Sequence, residues 1–149
     1  MFDLCPQLAP QLARGLGRAL DGLGFAHLTE FPLPDGRRAD VAALGGDGAI
    51  WIIEIKTSAA DFRADAKWTD YEAWCDRFYF ATPDGFPDDL LPPDRGLFRA
   101  DAYDAVELRP ATEAKLKAAR RAALTRRFAK TAAERLARMT DPGGPFSAW

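Results

Sequence analysis

The run Trp51-Ile52-Ile53-Glu54-Ile55-Lys56 constrains this chain more than any other stretch. Isoleucine and tryptophan at this density read as a β-strand buried on both faces. Glu54 and Lys56 are foreign to such a strand. Side chains alternate across a strand, so these two share one face while Ile53 and Ile55 share the other. A charge buried without a partner costs several kcal/mol or is driven to its neutral form. Compensation has to come from nearby. Residues 37–44 read as the preceding strand, closed by Gly45-Gly46-Asp47-Gly48, a hairpin signal. Asp40 lies on the face of that strand that also holds Arg38 and Ala42, and the hairpin sets it near Glu54.

Two adjacent carboxylates repel and raise each other's pKa, and one lysine offsets only one of the charges. A divalent cation offsets both. Hard oxygen ligands on rigid strands suit Mg²⁺ or Mn²⁺. Such an ion binds a phosphate oxygen and acidifies water, and a neighbouring lysine stabilises the charge that develops. The pattern D-x13-E-x-K across a hairpin therefore reads as metal-assisted phosphodiester hydrolysis. Asp40 and Glu54 are the expected metal ligands, and Lys56 the group that positions the attacking water. The competing reading is a structural Glu–Lys pair at a sheet edge, with both heads in water. E-x-K alone is too short to decide. Asp40, the glycine hairpin, the buried strand and the helix expected after it favour the hydrolytic reading.

The rest of the chain frames this motif. Its 149 residues are about one domain's worth, long enough to bury a core without staples. Leu8, Leu12, Leu16 and Leu20 recur on one side of a predicted helix, begun near Pro6 and Pro10 and ended by Gly22 and Gly24. Residues 25–31, 37–44 and 49–56 are three predicted strands in close succession. A helix is predicted over residues 58–76, with Phe62, Ala66, Thr69 and Ala73 on one face and Ser58 or Asp61 as its cap. Residues 78–81 form a further strand, followed by a Pro- and Asp-rich loop. Weaker strands follow at 96–100 and 105–109. A long helix is predicted over residues 111–139, with Leu124, Phe128, Ala132, Leu136 and Met139 as its apolar stripe. The order predicts an α/β fold with a mixed central sheet flanked by helices.

Charge is unevenly placed. Residues 1–108 hold 10 Lys/Arg against 19 Asp/Glu, whereas residues 109–149 hold 10 against 3. A basic C-terminal segment on an acidic domain suggests contact with a polyanion; a solvated basic helix is the alternative. No apolar run approaches the ~20 residues of a membrane span. The start of the chain has no signal-peptide pattern. Cys5 and Cys75 lack metal or disulfide-framework spacing. A protein of the reducing cytoplasm is expected.

The frame Arg37-Arg38-Ala39-Asp40, then Ile53-Glu54-Ile55-Lys56, then a helix and a strand, resembles the PD-(D/E)XK nuclease superfamily. The wider string Gly36-Arg37-Arg38-Ala39-Asp40-Val41, Glu54-Ile55-Lys56-Thr57-Ser58, Asp61-Phe62, Lys67-Trp68-Thr69-Asp70-Tyr71 and Cys75-Asp76 is similar to the MmcB-like DNA repair proteins within it. The resemblance implies a restriction-endonuclease-like αβββαβ core over residues 1–110, with residues 111–149 as a basic helix and tail packed on the same domain. It implies a Mg²⁺- or Mn²⁺-dependent DNA endonuclease acting in repair, leaving a 5′-phosphate and a 3′-hydroxyl. Asp40 matches the motif aspartate, Glu54 the acidic position of E-x-K, and Lys56 its lysine. Ala39 stands where the superfamily has proline. Many members add an acidic ligand from the first helix, which here has no acid on its middle turns. Glu30 is the expected substitute, and a solvated residue beside a turn is its alternative reading.

Other candidates concern DNA. Arg38 shares parity with Asp40 and is expected to touch phosphate, the alternative being a salt bridge to Asp35. Lys67, four residues before Tyr71 on the predicted helix, is expected to contact a phosphate or orient Glu54, or else to form a surface pair with Asp70 or Tyr71. Arg126, Arg127 and Lys130 on the basic helix are expected to bind phosphates without sequence specificity. His27, Trp68, Trp74 and Cys75 read as packing residues. A catalytically inactive DNA-binding repair accessory of the same fold is the main alternative, and a domain that docks a protein partner through residues 111–139 is a third. A homodimer or a repair-protein partner is compatible with all of them.

Overall fold

The computed structural model describes residues 7–144. The chain divides into two compact units, residues up to Leu116 and residues from Lys117 on.

The first unit opens with helix α1 (Leu8–Gly22), whose Leu12, Leu16 and Leu20 are fully buried. Burying each such leucine contributes roughly 1.5–3 kcal/mol relative to exposure. Pro10 sits in the first turn, where an amide is not needed. The helix ends at Gly22, and Gly24 follows in the left-handed region at φ +87°. Strands β1 (Phe25–Pro32), β2 (Arg38–Gly45) and β3 (Ile50–Ile55) then form an antiparallel meander. Gly48 closes the β2–β3 hairpin at φ +90°, its N–H donating to Gly45 O at 3.0 Å. A crossover leads to β4 (Arg77–Thr82), parallel to β3. Residues 83–95, with a single 3-10 turn at Asp88–Leu90, lead to β5 (Gly96–Ala100), parallel to β4. An antiparallel β6 (Ala105–Arg109) completes a six-stranded sheet in the order β1-β2-β3-β4-β5-β6. This is the restriction-endonuclease-like αβββαβ arrangement with a mixed sheet.

Alternation sorts the core into two layers. Val41, Ala43, Ile53, Ile55, Tyr79, Ala81 and Phe98 pack with the leucines of α1 on one face. The intervening positions of β3 and β4 point to the other face. There Phe62 meets Phe80 edge-on at 5.6 Å, and Trp68 lies 5.7 Å from Phe78 and 5.2 Å from Phe80. Asp76, itself buried, pins the far end of the sheet: Oδ2 accepts from Ile50 N–H at 2.7 Å and Oδ1 from Leu116 N–H at 2.9 Å.

Two predicted helices are shorter than their sequence pattern. The helix expected over residues 58–76 breaks into α2 (Ala59–Ala64), capped by Ser58, and a 3-10 helix (Trp68–Trp74). Asp65 leaves the helical backbone at φ −102°, ψ 94°, and Ala66, Thr69 and Ala73 are exposed. The helix expected from residue 111 starts only at Ala118, because the main-chain N–H groups of Ala114 and Leu116 are taken by Asp76.

The second unit is α3 (Ala118–Thr140). Leu124 is buried, whereas Leu136 and Met139 are exposed. A spacing of four drifts by 40° per step against a 3.6-residue turn, so Leu136 lies about 120° around the helix from Leu124.

Candidate functional site

The paired ladder between β2 and β3 ends at Val41 opposite Ile53. One residue further on, side chains take over from the main chain. Asp40 N–H donates to Glu54 Oε1 at 3.0 Å, and Ile55 N–H donates to Asp40 Oδ2 at 2.8 Å. These two bonds set the carboxyl groups side by side, so that the charge of Asp40 raises the pKa of Glu54. Glu54 is only 4% exposed and lies beside Phe80 in the neighbouring strand. Burial, reinforced by the charge of Asp40, pushes its pKa up to about 9. Burial likewise raises Asp40. Both shifts run against having the two carboxyls ionised together.

Lys56 follows on the same face and is 5% exposed. Its main-chain N–H extends the sheet to Ala81 O at 2.9 Å, and its Nζ donates to Asp65 Oδ2 at 2.6 Å. Asp65 Oδ1 accepts from Lys67 N–H at 2.9 Å. Partial burial works against ionisation of Asp65, but the bonds from Lys56 and Lys67 hold its pKa below the ordinary carboxylate range. Asp65 is the site residue that the sequence pattern missed. The helix expected over residues 58–76 gave it no role; the chain leaves the helix at this position, and its carboxylate meets Lys56.

Asp40, Glu54 and Lys56 open into a cleft of about 610 Å³, whose walls include Arg14 from α1, His27 and Glu30 from β1, and Asp61 from α2. Glu30 stands in the left-handed region at φ +49°, between the β1–β2 pairs Thr29–Val41 and Phe31–Ala39. That conformation is uncommon for a residue with a side chain. The negative charge of Glu30 adds to the forces raising Asp40, so the two are electrostatic neighbours. Even so, among the described residues no three His, Cys, Asp or Glu side chains converge into a metal cage. Glu30 is brought to the cleft without completing a three-carboxylate shell. His27 was read as packing; it is half-buried, and it also lines the cleft. The absence of a side chain at Gly17 makes room for it, since a Cβ there would lie 2.4 Å from His27 Nε2. Glycine in mid-helix was the available signal.

The expected DNA contacts fall in different places. Arg38 is exposed, and its carbonyl accepts from Tyr71 OH at 3.0 Å. The salt bridge to Asp35 is made instead by Arg37, at 3.7 Å, and Arg37 also meets Asp70 at 2.6 Å. Lys67 is exposed and is not among the cleft-lining residues. It caps the 3-10 helix, so the helical face expected for it and Tyr71 does not form. On α3, Arg126 and Lys130 are exposed, Arg127 is half-buried, and Lys130 pairs with Glu134.

The donor set suits a hard dication. Mg²⁺ is typically held by one or two carboxylates, with water and substrate phosphate filling the remaining positions. Two adjacent carboxyls whose ionised forms are disfavoured by burial meet that description.

A family model described as DNA repair protein MmcB-like matches residues 5–143. The chain belongs to the MmcB-like family of DNA repair proteins. This MmcB-like chain is also similar to a solved structure described as SPO1766, a protein of unknown function from Silicibacter pomeroyi. The two are 50% identical with a TM-score of 0.88, over 96% of this chain and 97% of that one. No curated protein matches this MmcB-like chain. Among its described residues, no helix is long and apolar enough to cross a membrane.

Proposed function

We propose that this MmcB-like protein is a Mg²⁺- or Mn²⁺-dependent nuclease that hydrolyses phosphodiester bonds of DNA during repair. The observation that carries this reading is the adjacent carboxyls Asp40 and Glu54, locked by the main-chain amides of Ile55 and Asp40, beside the buried Lys56, all three facing one cleft. The match to the superfamily frame seen in the sequence supports it. Asp40 and Glu54 would hold the ion, which when bound would polarise the scissile phosphate and acidify water. Asp40 is fixed for this by the Ile55 N–H, and Glu54 by the N–H of Asp40. Lys56 presents its ammonium on the same face as Glu54, where it stabilises negative charge and orients the attacking water. Arg14, on the wall of the cleft, supplies a phosphate contact that positions the strand without reading its sequence.

The test incubates labelled single-stranded, duplex, flap and forked DNA with Mg²⁺, Mn²⁺ or EDTA. Fragments that need the metal and vanish in Asp40→Asn support the reading. Intact DNA on every substrate and metal contradicts it.

A second reading, a DNA-binding repair accessory that grips without cutting, is favoured by one observation. The Lys56 ammonium is already committed to Asp65. The same assay separates the two, because the accessory retards DNA without producing fragments.

A further inference from the structure

Resting on the reading of Asp40 and Glu54 as a cation site, we propose that Asp65 is a positioning residue: it holds the Lys56 ammonium away from that pair and so keeps the pair open to a divalent cation. An ammonium is the natural competitor for such a site. It carries positive charge, donates hydrogen bonds to carboxylates and, on the flexible stem of Lys56, starts only two residues from Glu54. Asp40 and Glu54 both feel the charge of Lys56. Yet Nζ is drawn to a third carboxylate, Asp65 Oδ2, at 2.6 Å.

Asp65 is built to keep it there. It sits where α2 ends, with extended backbone, and its second oxygen accepts from Lys67 N–H at 2.9 Å. Both carboxylate oxygens are thus engaged, one by the chain and one by the ammonium. Asp65 is not among the residues lining the cleft, whereas Lys56 is. The tether therefore runs from behind the site. With Asp65 neutral, Lys56 loses its 2.6 Å partner, the carboxyls of Asp40 and Glu54 on the same cleft are left to attract it, and an ammonium lodged between them occupies the place a cation would take.

The test measures Mn²⁺ affinity of the full chain by electron paramagnetic resonance or calorimetry, so no cleavage is needed. Asp65→Asn, which keeps the shape of the side chain, is expected to weaken Mn²⁺ binding roughly 10-fold or more, the range seen when groups that orient metal ligands are removed. Asp65→Glu is expected to retain most of the affinity. The decisive comparison is the double variant Lys56→Met with Asp65→Asn. Removing the competing ammonium should restore much of what Asp65→Asn loses. The proposal is overturned if Asp65→Asn binds like the wild type, or if the double variant stays as weak as Asp65→Asn, in which case Asp65 acts only by its charge. Wild-type protein that takes up no Mn²⁺ overturns the cation site itself, and that result is read before any variant is compared.

Discussion

Asp40 and Glu54 are joined by a main-chain N–H of the first donating to the carboxylate of the second at 3.0 Å, at the point where the β2–β3 ladder stops. Strand pairing would ordinarily satisfy that amide. Here a side chain does, and this brings two acids into contact in a largely buried place. The energetic tension in the fold is concentrated there.

That tension has a pH signature. Glu54 has its pKa raised to about 9 in the folded protein, by burial first and by Asp40 second. Below the unfolded carboxyl pKa the folded and unfolded chains are equally protonated at this position. Between that value and about 9 the folded state binds the extra proton, so stability falls as pH rises through this window. Thermal unfolding in EDTA is expected to show Tm declining from pH 5 to pH 9, with the slope largely removed in Glu54→Gln. An unchanged slope in that variant would show that other groups govern it.

Lys56 tests the chemistry. Lys56→Ala is expected to lower single-turnover DNA cleavage by roughly 10²–10⁴-fold if the ammonium handles the charge or proton of the nucleophile. Cleavage at the wild-type rate would remove Lys56 from the mechanism.

Asp76 tests the scaffold. Its carboxylate accepts from two main-chain amides distant in sequence, Ile50 and Leu116. Asp76→Ala removes the acceptor of the buried Ile50 amide, at a cost of about 1–3 kcal/mol, and loosens the part-buried Leu116 amide as well. Urea denaturation should register a loss of this order, with no effect on metal affinity if Asp76 is purely structural.

The sequence carried the centre of this site because the hairpin and its alternation are local. Asp40, Glu54 and Lys56 had to share a face once β2 and β3 paired. What the sequence withheld came from tertiary partners. Residues 58–76 have helical spacing, yet the helix breaks at Asp65, whose carboxylate bonds Lys56 nine positions earlier. Residues 111–117 are helix-forming by composition, yet their amides are drawn to Asp76 some forty positions upstream. His27 has its place on the cleft through Gly17, a contact between helix and sheet for which a glycine in mid-helix is the one trace in the sequence. The basic stretch was legible as composition; its pairing of Lys130 with Glu134 follows from the four-residue spacing.

DNA contact makes a separate claim on α3. If Arg126 meets phosphate, affinity falls as salt rises, and Arg126→Ala weakens binding uniformly across sequences while reducing the salt slope by about 1. Fluorescence anisotropy over a salt series checks this. A slope that Arg126→Ala leaves unaltered would place the contact elsewhere.

Calorimetric titration of the metal-free protein with Mn²⁺ bears on the core of the account. Saturable uptake by the wild type that is lost in both Asp40→Asn and Glu54→Gln is the predicted result. No uptake, or uptake that both variants retain, would contradict it.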